Sequence, residues 1–156
     1  MERIIAILDF IGKDCALDHQ AIRNRNFAAR IYPEFPSGEE IALVAARIGS
    51  DEIDFAAYEF GQPPRQFSPQ PVGLVLDALF ENSPYGLLIH FSGHDLWIWA
   101  PEDHEYLVVF GDTNLVQAIE RSDIFSYSFA EYLGSGVLSQ ATVTHLRGVA
   151  SSYTIG

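Results

Sequence analysis

The chain has 156 residues, 48% hydrophobic and 13% aromatic, with 21 acids against 9 bases and a formal net charge of -12. A chain of this mass hides roughly 70% of its extended surface on folding, so it builds its own core without a disulfide or metal staple; 11 Phe, 7 Tyr and 2 Trp exclude disorder. No apolar run reaches the ~18 residues of a membrane span, and one lysine among 9 bases makes nucleic acid a poor partner.

Residues 3–11 are rich in Ile, Leu and Phe and fit either a first strand or the opening of a helix. A helix is predicted from Asp14 to Arg30, capped by Asp14 or Asp18 and stopped by Pro33. After a loop over Pro33–Gly38, the runs Ile41–Ile48 and Ile53–Phe60 flank Gly49-Ser-Asp-Glu52, which reads as a hairpin. Ala42, Ala45 and Ala46 keep a helix over Glu39–Ile48 open as the alternative. Gly61–Pro71 holds four of the eight prolines and is expected to be an irregular connection or arm.

Val72, Leu76 and Leu79 share one helical face, with Val75 and Phe80 beside them, which predicts a helix over Pro71–Asn82. Gly86–Ser92, Leu96–Ala100 and Tyr106–Phe110 have strand length and composition and are joined by hairpin-length turns, so they are predicted as consecutive antiparallel strands. Helices follow at Asn114–Arg121, capped by Asp112 or Thr113, at Ser126–Leu133, ended by Gly134, and at Leu138–Val149. These elements specify a single α+β domain with a mainly antiparallel sheet and helices packed on one face. Along Leu96–Ala100, Trp97 and Trp99 share the face opposite Leu96, Ile98 and Ala100. A strand that is apolar on both faces is either covered on both sides or shows its indoles to a partner.

The acids are unevenly spread. Residues 31–60 contain seven acids against Arg47 alone, and residues 77–131 contain ten against Arg121 alone. Such an excess either serves solubility or complements a basic partner, raising association rate and rejecting wrong partners. Arg23, Arg25 and Arg30, beside Asp14 and Asp18, read as a nearly balanced helix face.

Three constellations bear on chemistry. His90, His94 and His104 with Asp95, Glu102, Asp103 and Glu105 supply metal-ligand types, but antiparallel order sends the Gly93 and Pro101 turns to opposite sheet edges, so no metal site is expected. Cys15 and His19 are an i,i+4 pair among acids that raise a thiol pKa, which argues against a reactive thiol. No nucleophile elbow, phosphate-binding Gly-rich loop or paired CxxC occurs. A small hydrolase using His90 or His94 with a nearby acid, or a regulatory subunit, is the alternative to a binding protein. The lone cysteine and the lack of a basic, cleavable leader at Met1–Asp9 lead to the expectation of a cytoplasmic protein with no cofactor.

The segment Gly86-Leu-Leu-Ile-His-Phe-Ser92, followed by Asp95-Leu-Trp-Ile-Trp-Ala-Pro-Glu-Asp-His-Glu-Tyr-Leu-Val-Val-Phe-Gly111, resembles the small acidic α+β immunity proteins of bacterial polymorphic or contact-delivered toxin systems. Residues 114–120 and 125–133 continue the likeness. The resemblance implies a non-enzymatic protein that sits on a cognate, basic toxin and blocks its active site or substrate entry. Candidate partner-binding residues are Asp51, Glu52 and Asp54 at one turn, with Trp97, Trp99, Glu102, Asp103 and Glu105 near the later strands. In this scheme the aromatic rings anchor the partner and the acids steer it.

Overall fold

A computed structural model describes residues 10–12, 17–33, 36–82, 84–102, 106–125 and 139–153. The fold is α+β. In chain order the elements are α1 (His19–Asn24), β1 (Ala28–Tyr32), α2 (Gly38–Ile48), β2 (Glu52–Tyr58), β3 (Arg65–Pro71), α3 (Val72–Glu81), β4 (Gly86–Phe91), β5 (Leu96–Ala100), β6 (Leu107–Gly111), α4 (Thr113–Arg121) and α5 (Gln140–Tyr153). The strands form one sheet in the order β1-β6-β5-β4-β2-β3, with every neighbouring pair antiparallel.

The predicted β4–β5–β6 meander and the helices corresponding to α3, α4 and α5 are present. Asp112 caps α4 by accepting from the backbone N–H groups of Asn114 and Leu115. The predicted helix over Ser126–Leu133 lies outside the described residues.

Four expectations are corrected. Residues 41–48 are not a strand: Ser37 and Glu40 form a capping box, with Ser37 Oγ accepting from the Glu40 N–H at 3.1 Å and Glu40 Oε1 accepting from the Ser37 N–H at 2.9 Å. Gly49 then closes the helix in the left-handed region at φ 75. Both ends of α2 are thus fixed by local chemistry, and β2 pairs with β3 and β4 instead.

The proline-rich stretch is no loose arm from Arg65 onward. It forms β3 at the sheet edge, where a missing N–H costs no ladder bond, and the Phe67 ring stacks on Phe55 with centroids 4.2 Å apart. The early helix is also shorter than predicted. Asp18 caps α1 through the Gln20 and Ala21 N–H groups, and Asn26, at φ 57, turns the chain out of the helix into edge strand β1.

Helices cover both faces of the sheet, which corrects the expectation of cover on one. Ile41, Val44 and Ala45 of α2, Val75 and Leu79 of α3, and Val116 and Ile119 of α4 pack with Ile53, Phe55, Leu87, Ile89, Ile98 and Val109. The opposite face, with Ala29, Ala56, Leu88, Trp97, Trp99, Val108 and Phe110, is covered by Phe10, Ile11, Leu17, Ile22 of α1 and Leu146 of α5. Arg30 of β1 donates from Nε to Glu120 of α4 at 2.8 Å, tying the sheet edge to the first layer.

Two glycines are required by close approach. A Cβ on Gly86 would lie 2.8 Å from Cη2 of Trp99, and one on Gly111 would run into the Asp95 carbonyl where the backbone already holds φ 146. Gly86→Ala and Gly111→Ala are each expected to cost about 1–3 kcal/mol by overpacking or backbone strain. Gly73→Ala on the open side of α3, with nothing within 4 Å, is expected to gain about 0.5 kcal/mol. Urea unfolding of the three variants tests this ordering.

Candidate functional site

Among the described residues, those expected to bind a partner do not form one surface. Trp97 and Trp99 are 5% and 1% exposed. Trp97 packs against Phe10 at 5.0 Å, Phe27 at 5.7 Å and Phe110 at 5.6 Å between ring centroids, and Trp99 meets Tyr58 edge-on at 5.7 Å. The indoles are core, because Phe10, Ile11, Leu17 and two helices cover the face that carries them. They are corrected from partner anchors to structural groups.

Asp54 is buried as well. Asp51, Glu52 and Glu102 are exposed, but antiparallel order separates them: Asp51 and Glu52 lie at the end of the sheet where β2 begins and β4 ends, and Glu102 follows β5 at the other end. Asp103, Glu105 and His104 lie outside the described residues, as do Asp14 and Cys15.

The structure does bring a histidine and an acid together. Asp54 of β2 and His90 of β4 are cross-strand partners, and Asp54 Oδ1 is 2.8 Å from His90 Nδ1. Ser92 Oγ donates to the same carboxylate oxygen at 2.8 Å, and His90 Nε2 is 2.8 Å from the His94 carbonyl oxygen. The imidazole stacks on Trp97 with centroids 4.9 Å apart and planes 24° apart.

Ser, His and Asp are therefore all present, but wired differently from a nucleophilic triad. There the serine hydroxyl faces the imidazole nitrogen that takes its proton. Here the hydroxyl faces the carboxylate, and the second ring nitrogen donates to a main-chain carbonyl. Both ring nitrogens thus lie within hydrogen-bond distance of oxygens, the Asp54 carboxylate on one side and the His94 carbonyl on the other.

Buried Ser50 extends the network, its Oγ donating to the Glu52 carbonyl at 2.9 Å and the Ser92 carbonyl at 3.3 Å. The Ser92 N–H donates to the Glu52 carbonyl at 3.0 Å. The cluster thereby ties the turn after α2 and the start of β2 to the β4–β5 turn. Among the described residues no group of three or more His, Cys, Asp or Glu side chains is placed to hold a metal ion. No described helix is long and apolar enough to cross a membrane.

Sequence reasoning missed a different set of exposed groups. Leu74 and Phe80 of α3 are 70% and 43% exposed, and Leu43 of α2 is 47% exposed. They share the outer side of the α2–α3 layer with exposed Glu39, Asp77 and Glu81. Periodicity along α3 points to its core face and groups Phe80 beside it, which the exposure of Phe80 corrects; Leu74, apolar but off that face, is the signal the sequence offers. Comparison with protein-family models, curated proteins and solved structures finds no match to this chain. The class defined by the fold is an α+β protein built on a six-stranded antiparallel sheet.

Removing either member of the buried pair deprives the other of a buried hydrogen bond. Asp54→Ala and His90→Ala are each expected to cost about 1–3 kcal/mol, and the double variant carrying both is expected to cost less than the sum of the singles. A double-mutant cycle by urea unfolding checks the coupling.

Proposed function

We propose that the protein is a non-catalytic inhibitor of the immunity type, which binds a basic bacterial toxin in the cytoplasm and blocks its active site or substrate entry. One observation carries this reading. On α2, the turn after it and α3, exposed Glu39, Asp51, Glu52, Asp77 and Glu81 stand against Arg47 as the single base. A surface of one sign speeds encounter with a partner of the opposite sign and disfavours others, nucleic acid included.

Asp51 and Glu52, singled out from the sequence, lie where the chain passes from α2 into β2, at one end of this layer. The Asp51 carbonyl accepts from the N–H of Val72, the first residue of α3, and Glu52 lies opposite Pro71 in the β2–β3 register. The Asp54–His90–Ser92 network fits the reading as a support for that end of the sheet.

The test is co-expression of the chain with a basic cytotoxic domain encoded beside it, followed by association kinetics of the purified pair. The chain is expected to restore growth and inhibit at one-to-one stoichiometry. Asp51→Lys with Glu52→Lys is expected to slow association at least about tenfold at low salt, with the difference shrinking at high salt. Failure to protect, or turnover of the toxin's substrate by the chain alone, overturns the reading.

A further inference from the structure

We propose that the outer side of the α2–α3 layer is the docking surface, and that its occupant is a basic protein segment presenting apolar side chains between its Lys and Arg residues. This deepens the reading above and rests on it for the partner's identity, but it stands on separate observations.

Helix α3 buries Val75 and Leu79, while Val72, Leu76 and Ala78 pack partly against the same core. At 100° per residue the exposed positions Gly73, Leu74, Asp77, Phe80 and Glu81 occupy a sector of about 120°. Phe80 and Leu74 border that sector, and the two acids lie between them. The sector thus sets two large apolar side chains around two carboxylates.

The Phe80 rim faces α2: a Cβ on Gly38, the first residue of that helix, would lie 3.1 Å from the Phe80 ring and 3.5 Å from Leu76. The start of α2 is thus beside the end of α3. The chain after α2 returns beside the start of α3, where the Asp51 carbonyl accepts from Val72 N–H. The two helices therefore run antiparallel and side by side. Leu43 lies on α2 opposite its buried Ile41, Val44 and Ala45, with Glu39 one turn before it.

Three large apolar side chains are consequently displayed together with Glu39, Asp77 and Glu81 on one layer, with Arg47, one turn after Leu43, as its one base. Desolvating the apolar groups supplies affinity, and the acids set the sign of what can approach. Charge complementarity selects a cationic partner over a second copy of this chain, since two such faces at net charge -12 repel each other.

The experiment uses the full chain and a fluorescent amphipathic 18-residue Leu/Lys peptide. A Ser/Lys peptide of equal charge and a Leu/Glu peptide serve as comparisons. The chain is expected to bind Leu/Lys at least about tenfold more tightly than either. Leu74→Ser with Phe80→Ser, and separately Asp77→Lys with Glu81→Lys, are each expected to weaken Leu/Lys binding about tenfold or more.

Glu59→Lys with Phe60→Ser places the same kinds of change on the β2–β3 hairpin, where Phe60 is 71% exposed, and is expected to leave binding unchanged. Circular dichroism confirms that each variant is folded. Equal binding of Leu/Lys and Ser/Lys, equal loss in the hairpin variant, or self-association of the wild type that the Leu74 and Phe80 changes abolish would each overturn the proposal. In the co-expression assay, a Leu74→Ser/Phe80→Ser variant that still protects fully overturns the surface while leaving the proposed function standing. A wild type that binds Leu/Lys through this face but protects against no toxin does the reverse.

Discussion

The constraint on which the architecture depends is a sheet whose central strands are apolar on both sides. Every residue of β4, β5 and β6 is buried. At roughly 1.5–3 kcal/mol per large side chain, leaving either face wet would forfeit more than the net stability of an ordinary domain. The chain must therefore supply two covers. One is the layer of α2, α3 and α4; the other is assembled from Phe10, Ile11, Leu17, α1 and Leu146 of α5, drawn from regions far apart in sequence. That second cover decides the fate of both tryptophans.

A polar cluster interrupts this apolar sheet at one end. Asp54, His90 and Ser92 satisfy one another at 2.8 Å, and His94 supplies a carbonyl to the remaining ring nitrogen. Buried ionic groups contribute little net stability, because desolvation offsets their attraction. Their directional bonds instead discriminate between arrangements. A one-residue slip of β2 against β4 would carry Asp54 to the other face and leave His90 facing no carboxylate, so the pair opposes a register error that apolar residues on both faces of the strands would tolerate.

Legibility in the sequence followed the range of the interactions involved. The β4–β5–β6 meander and α3 were readable because their signals, period and turn length, lie within the segments themselves. The hairpin expected at 41–60 failed although its correction was equally local: Ser37 and Glu40 have capping-box spacing, and Gly49 stands where a helix would end. Composition and capping oppose each other there: Ile and Val favour a strand, the capping box and Gly49 a helix. Edge strand β3 was hidden by Pro69 and Pro71, which are compatible with a strand only once its edge position is known. The candidate site was the least legible part. Exposure of Trp97 depends on Phe10, Phe27 and Phe110, none of which is near it in the chain, so alternation within β5 shows which face an indole takes but not what lies over that face.

The placement of acids and exposed apolar groups follows the same logic from the outside. A side chain such as Leu74 on a solvated helix adds nothing to the core, and exposed apolar surface invites indiscriminate association. Asp77 sits between Leu74 and Phe80 on the α3 surface, and Glu39 lies one turn from Leu43. Each desolvation of the apolar groups by a neutral or acidic protein would then strand a carboxylate without a counter-charge, while a basic partner compensates it on contact. The acids that would steer a partner thus also restrict which partner can cover the leucines and phenylalanine. Under the proposed function, affinity and selectivity arise from one mixed surface, and the buried tryptophans contribute only by keeping the sheet beneath it rigid.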